Sequence, residues 1–165
     1  MKIGRLTISD RASAGVYADR SGPEIEAVLR EFFADANFES KIVPDEAGLI
    51  SAALKSFADE LNCNLVVTTG GTGISVRDVT PEATRAVLEK ELPGFGEIMR
   101  GQSFAKVKTA ILSRAVAGTR GRTLIVNLPG KPTAVRECLE ILAPAMCEGL
   151  AHLRGDDPHE KIQTA

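Results

Sequence analysis

The sequence predicts an α/β domain built on a mostly parallel sheet. Short apolar and β-branched runs alternate along the chain with longer segments of helical periodicity. The run Leu65–Thr69 is unbroken and stops at two glycines, as a strand covered on both faces does. Helix-start signals with an early proline recur at Ser21-Gly22-Pro23-Glu24 and Thr80-Pro81-Glu82.

The elements follow in order. Ile3 to Ser9 reads as a first strand, and Asp10 to Gly22 as a glycine- and serine-containing loop. Ser21 and Glu24 form a capping-box pattern. Ile25, Val28, Leu29, Phe32 and Phe33 then make one apolar helical stripe. Phe38 to Val43 is a short strand, and Leu49 to Leu61 a helix with Ile50, Ala53, Leu54, Phe57 and Leu61 on one face. After the strand at Leu65, Thr80 caps a helix running to about Glu89, and another spans Gly94 to about Ala105. Ile111 to Ala117 and Arg122 to Asn127 read as strands joined by Gly118–Gly121. Leu128-Pro129-Gly130-Lys131-Pro132 turns into a helix, which Pro144 is expected to break. Residues 1–154 are expected to be one domain and 155–165 a polar tail.

The 165 residues are enough to bury a core without staples. Twenty basic against 22 acidic residues give a net charge of -2, which argues against a nucleic-acid-binding surface but allows a local anion pocket. With no Trp, large stacking platforms are not expected. Cys63, Cys138 and Cys147 are far apart and form no CxxC pair, so they read as reduced thiols. His152 and His159 have no ligand-like neighbours, so a metal would be held by oxygen. No signal-peptide h-region is visible, and apolar runs fall far short of the ~18 residues of a membrane span. A soluble, cytoplasmic protein away from membranes is expected.

In open α/β sheets ligands bind beyond the carboxyl ends of the strands. Ser9-Asp10-Arg11, Thr69-Gly70-Gly71-Thr72-Gly73 and Asn127-Leu128-Pro129-Gly130-Lys131 fall at such ends. The Thr69–Gly73 run has unobstructed backbone N–H groups that can form a nest for phosphate. No Gly-Lys-Ser/Thr follows, and Val76 stands where a dinucleotide fingerprint needs its third glycine, so neither standard nucleotide motif is present. Such a loop can equally be a plain turn.

Asp78 can cap a turn or bind Mg²⁺ beside a phosphate, and Asp45 is a candidate second carboxylate. Glu97 and Arg100 share a helix face, where a surface ion pair is the simpler reading. Arg114, after Ser113, can meet a phosphate bidentately. Lys131 can reach an anion or simply face solvent, and Arg120 and Arg122 read as solvated turn charges.

Six ordered motifs together resemble one family. They are Ile8-Ser9-Asp10-Arg11-Ala12-Ser13, Thr68-Thr69-Gly70-Gly71-Thr72-Gly73, Arg77-Asp78-Val79-Thr80-Pro81-Glu82-Ala83-Thr84, Pro93-Gly94-Phe95-Gly96-Glu97-Ile98-Met99-Arg100, Leu112-Ser113-Arg114 and Asn127-Leu128-Pro129-Gly130-Lys131-Pro132. The chain resembles MogA-type molybdopterin adenylyltransferases, relatives of the gephyrin and plant Cnx G domains, from Ile3 to about Leu153. The resemblance implies a three-layer αβα fold and a homotrimer. It also implies transfer of AMP from MgATP to the terminal phosphate of molybdopterin, with release of pyrophosphate. A downstream MoeA-type protein would insert molybdate.

By the same resemblance, Asp45 and Asp78 are the metal-binding and catalytic aspartates. Thr69, Gly70, Gly71, Thr72 and Gly73 bind phosphate or nucleotide. Ser9, Asp10, Asn127, Pro129, Gly130, Lys131 and Pro132 line the same pocket, and Glu97, Arg100, Ser113 and Arg114 complete its polar wall. The related MoaB branch typically lacks Asn-Leu-Pro-Gly-Lys-Pro and differs at Pro44-Asp45-Glu46, both retained here. The alternative expectation is a MoaB-like pterin-binding or scaffolding trimer with little catalysis.

Overall fold

In a computed structural model, residues 1–156 are described. His159 and most of the expected polar tail lie outside them. The chain runs β1 (Lys2–Ile8), α1 (Asp10–Ser13), α2 (Ser21–Phe32), β2 (Asn37–Val43), α3 (Ala47–Lys55), β3 (Leu65–Thr69) and α4 (Thr80–Arg85). It continues with β4 (Lys90–Glu91), α5 (Pro93–Lys106), β5 (Ala117–Arg120), β6 (Thr123–Leu128) and α6 (Pro132–Arg154).

One six-stranded sheet has the order β2-β1-β3-β6-β5-β4. The first four strands are parallel, and at the other edge β5 runs antiparallel to both of its neighbours, β6 and β4. The strands alternate their side chains between two cores. Leu65, Val67, Leu124, Val126 and Leu128 pack with Ile25, Val28 and Leu29 of α2, Met99 of α5, and Val135, Leu139, Leu142 and Met146 of α6. Val66 and Ile125 point the other way, onto Ile50 and Leu54 of α3, Phe57, and Ala83 of α4. The expected αβα layering is thus present. Burying each such large side chain contributes about 1.5–3 kcal/mol, and Leu65, Leu124, Ile125, Leu139 and Leu142 are all essentially fully buried.

Several local expectations are corrected by long-range contacts. Asp10–Gly22 is not all loop, because Ser9 Oγ accepts the Ala12 N–H at 3.2 Å and caps the short α1. Ser21 does not cap α2. Its N–H and that of Gly22 donate to Asp19 Oδ1 at 3.0 and 2.9 Å, while its hydroxyl donates to the Gly130 carbonyl at 2.6 Å. Thr80 likewise gives its hydroxyl to the Gly70 carbonyl, at 2.9 Å, rather than to a cap, and α4 stops at Arg85. Helix α3 begins at Ala47, two residues before expectation, and ends in a π turn over Ser56–Glu60.

Ile111 and Leu112 are exposed and belong to a 3-10 turn, Lys108–Leu112, not to a strand. The backbone beyond them is held outside the sheet ladder: Arg114 N–H donates to the Thr72 carbonyl and Arg100 donates to the Ser113 and Ala115 carbonyls. The hairpin turn is Gly121-Arg122, while Gly118 lies inside β5, where a Cβ would strike the Lys90 carbonyl of β4.

Helix α6 runs through Pro144 unbroken. Proline removes one backbone hydrogen bond, but Leu139, Leu142, Ala143, Met146 and Leu150 remain buried and hold both halves on the sheet. Arg120, at the end of β5, is not a solvated turn charge, whereas Arg122 stands exposed in the hairpin turn as expected. Arg120 forms a bidentate pair with Asp59, and Arg122 donates to the last carbonyls of α6 at Leu153 and Arg154.

Candidate functional site

The carboxyl ends of β1, β2, β3 and β6 open into a cleft of about 640 Å³. Four loops converge there because the four strands are parallel and adjacent.

The loop after β3 is shaped by two glycines in left-handed backbone, Gly70 at φ +99° and Gly71 at φ +63°. A Cβ on Gly70 would collide with the Ile8 carbonyl, and one on Gly71 would lie 2.8 Å from Asp45 Oδ1. The glycines therefore let the loop pass close to β1 and to a carboxylate. Thr69 ties this loop to the one after β6 by donating its hydroxyl to the Pro129 carbonyl at 2.7 Å. Arg114 braces it from behind, donating to the Gly73 and Asp78 carbonyls at 2.7 Å each and pairing with Glu82. The N–H groups of Gly71, Thr72 and Gly73 take no acceptor among the described residues, which leaves a run of donors suited to an anion.

Three carboxylates stand beside this loop. Asp45 follows β2, and its Oδ2 accepts the Asp10 N–H at 2.9 Å. Asp10 follows β1, and its Oδ1 accepts the Asp45 N–H at 2.9 Å. Asp78 Oδ2 accepts the Ser75 N–H at 2.8 Å. Arg77 forks onto Asp10, Nε to Oδ2 at 3.0 Å and Nη2 to Oδ1 at 2.8 Å. The Arg77 fork and the Asp45 N–H hold the Asp10 carboxyl below its usual range. Burial pushes the Asp45 carboxyl up, the Asp10 N–H opposes this, and the nearby Asp10 and Asp78 charges add to the rise.

Among the described residues no group of three or more His, Cys, Asp or Glu forms a self-sufficient metal cage. Asp45 Oδ1 and Asp78 Oδ1 accept no hydrogen bond among those residues. Two hard oxygen donors next to an anion nest fit Mg²⁺, which binds through one or two carboxylates completed by water and substrate phosphates.

The structure brings together Ser9, Asp45, Thr69, Gly70, Gly71, Asp78, Gly130 and Pro132 on the cleft wall. Asp10 sits at its edge with its carboxylate already committed to Arg77 and Asp45. Thr72 and Gly73 continue the loop, and the Pro129 carbonyl is taken by Thr69. Lys131 is exposed as the N-cap residue of α6.

The other expected residues lie elsewhere. Asn127 has no exposure and donates to the hydroxyls of Thr68 and Thr84 at 3.0 Å each, so it is a core hub and not part of the wall. Arg100, Ser113 and Arg114 line a separate depression of about 390 Å³ with Arg85 and Glu91. Glu97 is exposed on α5 and lines neither cleft.

Thr7, Tyr17, Asp19 and Arg20 line the main cleft and were not singled out by sequence reasoning, and Ser21, read there only as a helix cap, lines it too. Asp19 is the organiser among them. It accepts from Arg5, Thr7 and the first amides of α2, and its side chain is only 8% exposed. An Asp two residues before Ser-Gly-Pro is a legible cap signal, but its contacts with Arg5 and Thr7 are not local.

Residues 4–148 match a family described as "Probable molybdopterin binding domain". The chain is 56% identical over 145 residues to the molybdopterin adenylyltransferase of Helicobacter pylori strain J99, covering 87% of this chain and 82% of that protein. It is 49% identical over 141 residues to the Escherichia coli K12 protein of the same name, covering 85% and 72%. Among solved structures, one of MogA superposes with TM-score 0.87 at 38% identity, covering 93% of this chain and 99% of the other. The MoaB of Thermus thermophilus superposes with TM-score 0.82 at 43% identity, covering 93% and 96%. Fold, loop placement and sequence agree, and the chain belongs to the MogA/MoaB family of molybdopterin-binding domains.

Proposed function

We propose that this chain is a molybdopterin adenylyltransferase of molybdenum cofactor biosynthesis. The observation that carries the reading is the convergence of an anion-binding glycine loop with Asp45 and Asp78 in one cleft. The relatives at 49–56% identity carry that activity in their names.

In this reading a terminal phosphate oxygen of molybdopterin attacks the α-phosphorus of ATP. A new P–O bond forms, the bond to the β-phosphate oxygen breaks, and pyrophosphate leaves. The work of the protein is positioning and charge placement. In this reading the N–H groups of the Gly71–Gly73 run hold phosphate oxygens, and Ser9, Ser21, Gly71 and Gly130 line the cleft. Asp45 and Asp78 would hold Mg²⁺, which supplies neutralisation of the triphosphate when bound.

The same reading makes the protein a cytoplasmic homotrimer whose product passes to a MoeA-type molybdate-inserting protein. Exposed apolar side chains support assembly: Ile98, Phe104, Val107, Ile111 and Leu112 are 40–62% exposed on α5 and the turn after it. No helix of the described residues is long and apolar enough to cross a membrane.

The test mixes protein, molybdopterin and MgATP and follows pyrophosphate and adenylylated pterin. Formation of both in equal amounts is expected. Molybdopterin binding without product would support the scaffolding alternative instead.

A further inference from the structure

We propose that Arg77 and Asp10 form a latch that sets the spacing of Asp45 and Asp78, so that both are positioning residues and neither is a substrate ligand. The inference rests on the reading of Asp45 and Asp78 as the divalent-cation pair.

The two aspartates lie on different loops, after β2 and after β3, and no hydrogen bond between their side chains joins them. What connects the loops is a chain of three links. Arg77, covalently next to Asp78, forks onto both oxygens of Asp10 at 3.0 and 2.8 Å. Asp10 then exchanges two hydrogen bonds with Asp45, each 2.9 Å. One of these grips Asp45 Oδ2, which leaves Oδ1 directed at Gly71 of the phosphate loop.

Stability does not explain this pair. The side chains are 57% and 43% exposed, where ion pairs contribute little. A planar guanidinium fork on a carboxylate instead fixes distance and orientation, which a lysine could not do. Charge points the same way. Arg77 pairs with the Asp10 carboxylate and leaves Asp45 and Asp78 without a cationic partner among the described residues. Asp10 itself has both oxygens committed and is poorly placed to serve as a third ligand.

The latch is tested with Mn²⁺ as an EPR-visible probe, measuring its retention by the full chain in the presence of ATP. Asp10→Ala and Arg77→Gln should each weaken retention at least about 10-fold, the scale of losing a partner that orients a metal ligand. Because they break one device, the double variant should be no more than about twofold worse than the poorer single. Arg77→Lys should behave like Arg77→Gln. Amide exchange at Asp45 should quicken in Asp10→Ala, while circular dichroism and Tm stay near wild type. Wild-type retention in both single variants, or effects that multiply in the double variant, would overturn the latch while leaving the cation reading intact. A wild-type protein that retains no Mn²⁺ with ATP would overturn both.

Discussion

Asp10 and Asp45 each accept the backbone N–H of the other, both at 2.9 Å, across the carboxyl ends of β1 and β2. This exchange pins one carboxylate oxygen of Asp45 and leaves the other facing Gly71. Replacing Asp45 or Asp78 by Asn keeps shape and most hydrogen bonds but removes a negative donor. Each variant should fold normally and lose at least about 100-fold in adenylyl transfer, read as pyrophosphate release. An unchanged rate in Asp78→Asn would remove that residue from the site.

The pH dependence follows from opposite displacements. Asp10 is held below the usual carboxylate range by Arg77, and because the pair is exposed its ionised form adds only a little stability above about pH 4, the unfolded value. That contribution disappears as pH falls through the lowered folded value. Asp45 is raised, chiefly by burial, so its ionised form costs stability at neutral pH and the cost is relieved on acidification. Asp45→Asn should therefore melt at a higher Tm than wild type at pH 7 without metal, and the gap should close toward acid pH. Thermal melts at several pH values check this.

Gly70→Ala should be severely destabilising. Its φ of +99° strains any L side chain, and the new Cβ would press on the Ile8 carbonyl, which is backbone and cannot rotate away. Strain and overpacking together cost about 2–6 kcal/mol. Chemical denaturation should show a reduced midpoint with little change in slope.

Asn127→Ala separates a core role from a binding role. The side chain serves Thr68 and Thr84 and accepts from the Val116 N–H, all in the interior. Removing it should cost about 1–3 kcal/mol of stability and leave the ATP affinity of the folded protein unchanged. A large loss of affinity with unaltered stability would return Asn127 to the cleft.

Gel filtration should place the protein near three times its 17.5 kDa chain mass. Ile111, 62% exposed, is the most exposed of the apolar residues on α5 and the turn after it, so Ile111→Asp should give a monomer that keeps its secondary structure. An unchanged elution volume would move the assembly surface elsewhere.

Periodicity and turn chemistry already located β1, α2, β2, β3, α5 and β6 to within a few residues. They also picked out the polar segments at strand ends, because those signals are local: side-chain alternation, apolar stripes, and Gly or Pro at boundaries. Where tertiary contacts override local preference, the residues alone point the wrong way. Thr80 reads as a cap until the Gly70 carbonyl competes for its hydroxyl. Pro144 reads as a break until the buried stripe of α6 carries the helix across it. Arg100, Arg114 and Asn127 carry the right chemistry for a phosphate wall, yet packing spends them on carbonyls and hydroxyls behind it. The sequence alone thus determined an α/β chain with a glycine loop and carboxylates at strand ends. Only the tertiary structure decided which of those groups meet, because the bonds joining Asp10, Asp45 and Arg77 span 35 and 67 residues and depend on strand order.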